Sequence, residues 1–236
     1  MPPLLADPVI RDLGVVEDGS RLVDLRDHGL NVVPTAPALP LGASHDPCRM
    51  RLSSLPRESD APCLPHVHAR ETMAERLVAA DACLPHGVRL LVVEGLRRID
   101  AQVAIHNEYR GQLAIAHPGL SDDEVATLTS RFVAPPSIGP HVSGAAVDLT
   151  LVGPDGPLDL GTPIDATPEE SGGACYFDSA AISPEARHNR SVLATVLGDV
   201  GLVNYPTEWW HWSFGDRYWA HVTGHPFAIH GPTYPR

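Results

Sequence analysis

Lysine is absent from this chain. All 17 basic residues are arginine, so chemistry that needs a lysine amine, such as a Schiff base or a P-loop, is excluded. A basic face is missing as well. Against 29 acidic residues the arginines leave a formal net charge of −12. That is the wrong sign for neutralising a phosphate backbone or an anionic membrane surface. No nucleic-acid partner and no membrane partner is therefore expected, and no obligate protein partner is evident. No window approaches the roughly 18–20 apolar residues of a membrane span. The N-terminal MPPLLADPVIRDLG has no basic region followed by an apolar stretch, so no leader is read and a cytoplasmic location is expected. Cys48, Cys63, Cys83 and Cys175 show no CxxC spacing and are expected as free or buried thiols. Ser143 lies in no Gly-x-Ser-x-Gly elbow, which leaves a serine hydrolase without support.

What is present suits one domain. A chain of 236 residues can bury a sizeable core without disulfide staples. We expect a single domain over 1–236, with a loop-rich N-terminal part at 1–65 and a catalytic core at 66–236. The 24 prolines and 20 glycines favour a loop-rich fold over a helical bundle. Apolar residues at helical spacing predict a helix over 67–84. The continuously apolar VRLLVVE at 88–94 predicts a central strand. Further helices are expected at about 99–116, after Ser121 with Glu124 as a capping box, and at about 184–199. Strands are expected at 145–152, 202–205 and 208–214. Gly153-Pro154-Asp155-Gly156 reads as a hairpin turn with 158–160 as the returning strand. Helices first and strands afterwards predict an α+β fold, a mainly antiparallel sheet with helices packed on one side.

Two segments carry residue types suited to metal chemistry: His141-Val-Ser-Gly-Ala-Ala-Val-Asp148 and Glu208-Trp-Trp-His211. A catalytic zinc takes three protein ligands from His, Asp or Glu and keeps one position open. The segments offer two histidines and an aspartate, with a spare carboxylate for proton transfer. Seven residues of straight strand would put His141 and Asp148 on opposite faces. Pro140 and Gly144 argue instead for a loop at His141 and a strand at Asp148. The Glu208–His211 offset needs a bulge or a strand end if both are to reach one site. Taken singly, a His beside Trp is more often a packed aromatic neighbour, and a strand Asp more often an ion-pair partner.

The segments HVSGAAVDLTL (141–151) and EWWH (208–211) resemble the signature of the D-alanyl-D-alanine dipeptidases. These are zinc peptidases related to the vancomycin-resistance dipeptidases and the wider D,D-carboxypeptidase group. LLVVEGLR (90–97), LGTPID (160–165) and EARHNRSVL (185–193) extend the resemblance, which runs from about 88 to 220. It implies one zinc ion per chain on His141, Asp148 and His211, with Glu208 as general base and then acid. Arg97 would stabilise the oxyanion. Asp165 would bind the free amino group of a small dipeptide substrate, D-Ala-D-Ala, in cell-wall turnover or glycopeptide resistance. The chain departs from the family pattern at Leu96 and Arg98, where an aromatic and a proline flank the arginine, and at Gly139, where a serine precedes the first histidine. These positions surround the substrate pocket. Two alternatives follow: a zinc amidase of the same fold acting on a different peptide or a natural-product intermediate, and a D-Ala-binding module without catalysis.

Rival constellations are weaker. His66-Val-His68 is a metal pair at strand spacing, before a helix in a Pro-rich region, with no nearby carboxylate cluster. Glu185-Ala-Arg-His188 makes a second Glu-x-x-His, but the proline content opposes the four long helices of a di-iron bundle.

Overall fold

The computed structural model describes residues 3–34 and 65–233. The chain begins with α1 (Pro8–Arg11), β1 (Leu22–Asp24) and β2 (Asn31–Val32), and continues with β3 (His68–Arg70), α2 (Glu71–Ala82) and β4 (Arg89–Glu94). Next come α3 (Ile99–Ala116), α4 (Asp122–Thr129), β5 (Ala146–Gly153) and β6 (Gly156–Pro157). The last part holds α5 (Pro168–Ser171), α6 (Pro184–Asp199), β7 (Val203–Asn204), β8 (His211–Ser213) and α7 (Arg217–Thr223). The architecture is α+β. Strands run β2-β4-β5-β8-β7 in one sheet, with β6 folded back on β5, while β1 and β3 form a separate pair. Every pairing is antiparallel except β2 with β4. Among the described residues no helix is long and apolar enough to cross a membrane.

β5 divides the molecule. Side chains alternate across a strand, so Val147, Leu149 and Leu151 face one side and Ala146, Asp148 and Thr150 the other. The first set joins Met73 and Leu77 of α2, Leu90 and Val92 of β4, and Leu193 and Leu197 of α6 in the main apolar core. Each large side chain buried there contributes roughly 1.5–3 kcal/mol. The second set leaves Asp148 on the opposite face. Near that face, α3 and α4 pack through Ile105, Tyr109, Leu113 and Val125, joined by Val133 from the chain after α4.

Local signals placed several elements well. Ser121 and Glu124 form the reciprocal capping box at the start of α4. α3 and α6 occupy the expected ranges. Two elements differ because tertiary pairing overrides local periodicity. Residues 68–70 leave the helix expected over 67–84 and pair antiparallel with β1, so α2 starts only at Glu71. The returning strand of the hairpin is Gly156–Pro157 rather than 158–160, which makes a two-residue turn of Pro154 and Asp155. Cys83 and Cys175 are free thiols, while Cys48 and Cys63 lie outside the described residues.

Candidate metal and catalytic site

The register between β5 and β8 sets Asp148 directly opposite His211. Directly opposed residues in an antiparallel pair hold their side chains side by side. His141 arrives from a short helical turn after Pro140, closed by Gly144 at φ 68°. Its Nε2 stands 3.1 Å from His211 Nδ1 and 3.2 Å from Asp148 Oδ2, and His211 Nδ1 lies 3.1 Å from Asp148 Oδ1. All three residues are buried. His141 Nδ1 lies 2.7 Å from the carbonyl of Gly95. A carbonyl only accepts, so Nδ1 carries the proton and Nε2 presents a bare lone pair to the other two donors. Three ligands at ~2.0–2.2 Å from one tetrahedral ion would stand about 3.3–3.5 Å apart, close to this triangle. The donor set fits a divalent metal ion.

Glu208 sits beside the triangle, with Oε2 3.7 Å from His211 Nδ1. The expected strand over 208–214 is a strand only at His211–Ser213. Glu208–His211 is a turn, closed by the His211 N–H donating to the Glu208 carbonyl at 3.2 Å. This turn lets two residues at an offset of three reach the same place. The Asn204 side-chain amide holds it, donating to the carbonyls of Glu208 at 2.9 Å and His211 at 2.9 Å.

A sheet bulge supplies a further acid. Val92 pairs with Leu149, but the next partner of β5, Asp148, is met by Glu94 and not Val93. The extra residue turns Glu94 to the metal face, so Glu94, Asp148 and His211 form one row across three strands. Arg97 is held there. Its Nε donates to Glu94 Oε1 at 2.8 Å, its Nη2 to Glu94 Oε2, and its Nη1 to Gln102 Oε1 at 2.9 Å. Its backbone N–H bonds the His141 carbonyl at 3.1 Å. Arg98 points elsewhere and pairs with Asp100. Gly95 is required between Glu94 and Arg97, because a Cβ there would stand 2.3 Å from the carbonyl oxygen of His68.

These groups line a cavity of about 50 Å³ with Asp165, Trp210, Tyr205, Leu5, Ile105 and Phe132. That is room for roughly four waters. Asp165 has φ 65°, a left-handed backbone rarely taken by a non-glycine residue. Such a conformation persists only where its surroundings enforce it. Arg190, 1% exposed, donates to the carbonyls of Leu160 at 2.7 Å, Ala174 at 2.9 Å, Tyr176 at 2.7 Å and Phe177 at 3.1 Å. Those carbonyls bracket the segment that carries Asp165.

Crowded acids shift one another. Burial and then the charges of Asp148 and Glu94 push Asp165 up to about 7. Burial, then Asp148 and Asp165, raise Glu208 well above the usual carboxylate range. Burial also opposes the charge on Asp148, but His141 and His211 outweigh it and hold its carboxyl far below the ordinary value. Burial lowers His211.

A family model for D-Ala-D-Ala dipeptidases, peptidase M15, matches residues 59–227. The chain belongs to that family. A curated D-alanyl-D-alanine dipeptidase from Synechocystis sp. is 36% identical over 89 residues, 34% of this chain and 36% of the relative. The alignment thus spans about a third of that relative's length. A solved structure of a mutant vancomycin-resistance D,D-pentapeptidase VanY, from a VanB-type resistance cassette and in complex with Zn(II), is 16% identical. It covers 69% of this chain and 82% of that one, with a TM-score of 0.37.

In this M15 chain the structure gathers His141, Asp148, His211, Glu208, Arg97 and Asp165 around one cavity. Sequence reasoning missed Glu94, Gln102, Asn204 and Arg190. Glu94 had a local signal, a charged residue ending an apolar strand run. The others act through partners distant in sequence. The rival pairs are kept apart from the site. His66 Nε2 lies 3.2 Å from the Val33 carbonyl, and the carbonyls of His66 and His68 accept from Gly95 and Leu96 at 2.7 and 2.6 Å. They clamp the turn before Arg97. Glu185 and His188 are exposed on α6.

Proposed function

We propose that this chain is a zinc-dependent dipeptidase that hydrolyses D-Ala-D-Ala or a closely related D-configured dipeptide. The observation that carries the reading is the triangle of His141, Asp148 and His211, with Glu208 at its side and Arg97 and Asp165 on the same cavity wall. Two imidazoles and one carboxylate suit zinc. Bound there, zinc would supply Lewis acidity, making water a competent nucleophile near neutral pH.

The protein's own groups account for the rest. Glu208 takes a proton from the attacking water on its carboxylate and delivers it to the leaving amine nitrogen. Water adds to the peptide carbonyl carbon, the C–N bond breaks, and a free carboxylate and amine result. Arg97, fixed by Glu94 and Gln102, offers a preoriented positive charge to the carbonyl oxygen as negative charge develops there. Asp165 pairs with the ammonium of the substrate. The small cavity favours a small substrate over a bulky one.

The test is release of free amino acid from a panel of D,D-, L,D- and L,L-dipeptides by zinc-loaded protein. D-Ala release from D-Ala-D-Ala is expected to dominate. Turnover confined to another amide would move the substrate assignment, and binding without release would replace catalysis by recognition.

A further inference from the structure

A second set of metal-type donors lies where the two ends of the described chain meet. Val15 and Ala228 form a parallel bridge. The Val16 N–H donates to the Ala228 carbonyl at 2.8 Å, and the Asp18 N–H to the Ile229 carbonyl at 3.2 Å. This pairing carries Glu17 and Asp18 to His230. One ligand atom from each of the three residues falls within 4.8 Å of the other two.

His230 makes this more than a surface pair of acids. It is 2% exposed. Its ring sits over Gly215, where a Cβ would stand 2.5 Å from His230 Cδ2, so only glycine leaves room for it. Its Nε2 lies 3.0 Å from Thr72 Oγ1, while its Nδ1 is buried without a hydrogen-bond partner. Ser20 Oγ lies 3.4 Å from Thr72 Oγ1. Nδ1 faces Asp18 Oδ1 at 3.4 Å without a hydrogen bond between them. A buried ring nitrogen without a hydrogen-bond partner is costly, and a cation held between it and the carboxylate satisfies both. Arg70 approaches Glu17 at 3.4 Å. The Gly231 N–H donates to Glu17 Oε1 at 2.6 Å. Two carboxylates against one arginine leave net negative charge here.

We propose that Glu17, Asp18 and His230 bind a second divalent cation, distinct from the His141 site. One imidazole and two carboxylates suit a first-row transition ion such as zinc. Its role is structural. The ion clasps the 15–18 segment to the 228–231 segment. Arg70, which also bonds the carbonyls of Gly231 at 3.1 Å and Ser143 at 2.8 Å, ties that clasp to the turn bearing His141.

The experiment titrates metal-stripped full chain with Zn²⁺, following stoichiometry by calorimetry and the thermal midpoint in parallel. Wild type is expected to take two equivalents, with a further rise in midpoint on the second. Asp18→Asn and Glu17→Gln alter exposed side chains and are expected to take one, without the second rise and with dipeptide hydrolysis retained. Asp148→Asn is expected to keep this equivalent and lose the other, so the two sites are read separately. A wild type that takes one equivalent, or a second equivalent that survives in both Asp18→Asn and Glu17→Gln, would overturn the proposal.

Discussion

Glu94 holds Arg97 by the Nε–Nη2 edge of its guanidinium, a two-point ion pair in which both side chains are largely buried. A bidentate pair fixes orientation as well as charge. Glu94 reaches Arg97 only because the bulge in β4 turns it to the metal face.

Glu94→Gln is expected to lower kcat/KM about 10²-fold, the scale of losing one preoriented oxyanion donor. Zinc stoichiometry at the His141 site should not change, because Glu94 is not one of the three converging donors. Kinetics and metal analysis on the same preparation separate the outcomes. Loss of the metal would make Glu94 part of the metal site instead.

Glu208→Ala is expected to retain zinc and lose about 10³-fold or more in kcat, within the usual range for a proton-transfer group. Single-turnover assays with D-Ala-D-Ala measure it. Turnover within tenfold of wild type would assign the proton transfer to another group.

Arg190→Ala removes donors to four carbonyls around the segment that bears Asp165. Buried acceptors without donors are costly, so urea unfolding should show a loss of about 3 kcal/mol or more. KM should rise more than kcat falls, because the loosened segment carries the proposed ammonium partner. Arg190→Lys is expected to restore little, since an ammonium lacks the planar fork that spans several carbonyls.

Asp216 gives a pH signature outside the metal site. It is 3% exposed, and burial pushes its carboxyl up to about 6 despite hydrogen bonds from Trp219 N–H and Ser213 Oγ. Its Oδ2 has no partner. A folded-state value above the ordinary 3.8 means that the folded protein holds this proton more tightly than the unfolded chain. The stabilisation is complete below about pH 4 and is lost as pH rises through about 6, on the order of 2–3 kcal/mol in all. Asp216→Asn keeps the helix cap and removes the titration. Urea midpoints measured from pH 4 to 8 should show the wild type losing ground to Asp216→Asn as pH rises. Parallel profiles would mean that Asp216 does not titrate in this window.

The sequence by itself determined the features whose causes are local. The Ser121–Glu124 box started α4, and apolar periodicity marked α3 and α6. The alternation of β5 put Asp148 on a different face from Val147 and Leu149. The segments around His141 and Glu208 carried a recognisable pattern, so the metal-type residues were legible before any contact was known. Tertiary structure decided what depends on partners far along the chain. Pairing with β1 drew residues 68–70 out of a helix. The β4 bulge chose Glu94 over Val93, and the β5–β8 register set Asp148 beside His211. Asn204 and the junction of Glu17, Asp18 and His230 have no sequence signature, and Arg190 has only its place in a family-like segment without a legible role. Their roles arise from hydrogen bonds and contacts that form only when distant segments are brought together, and no local propensity encodes those.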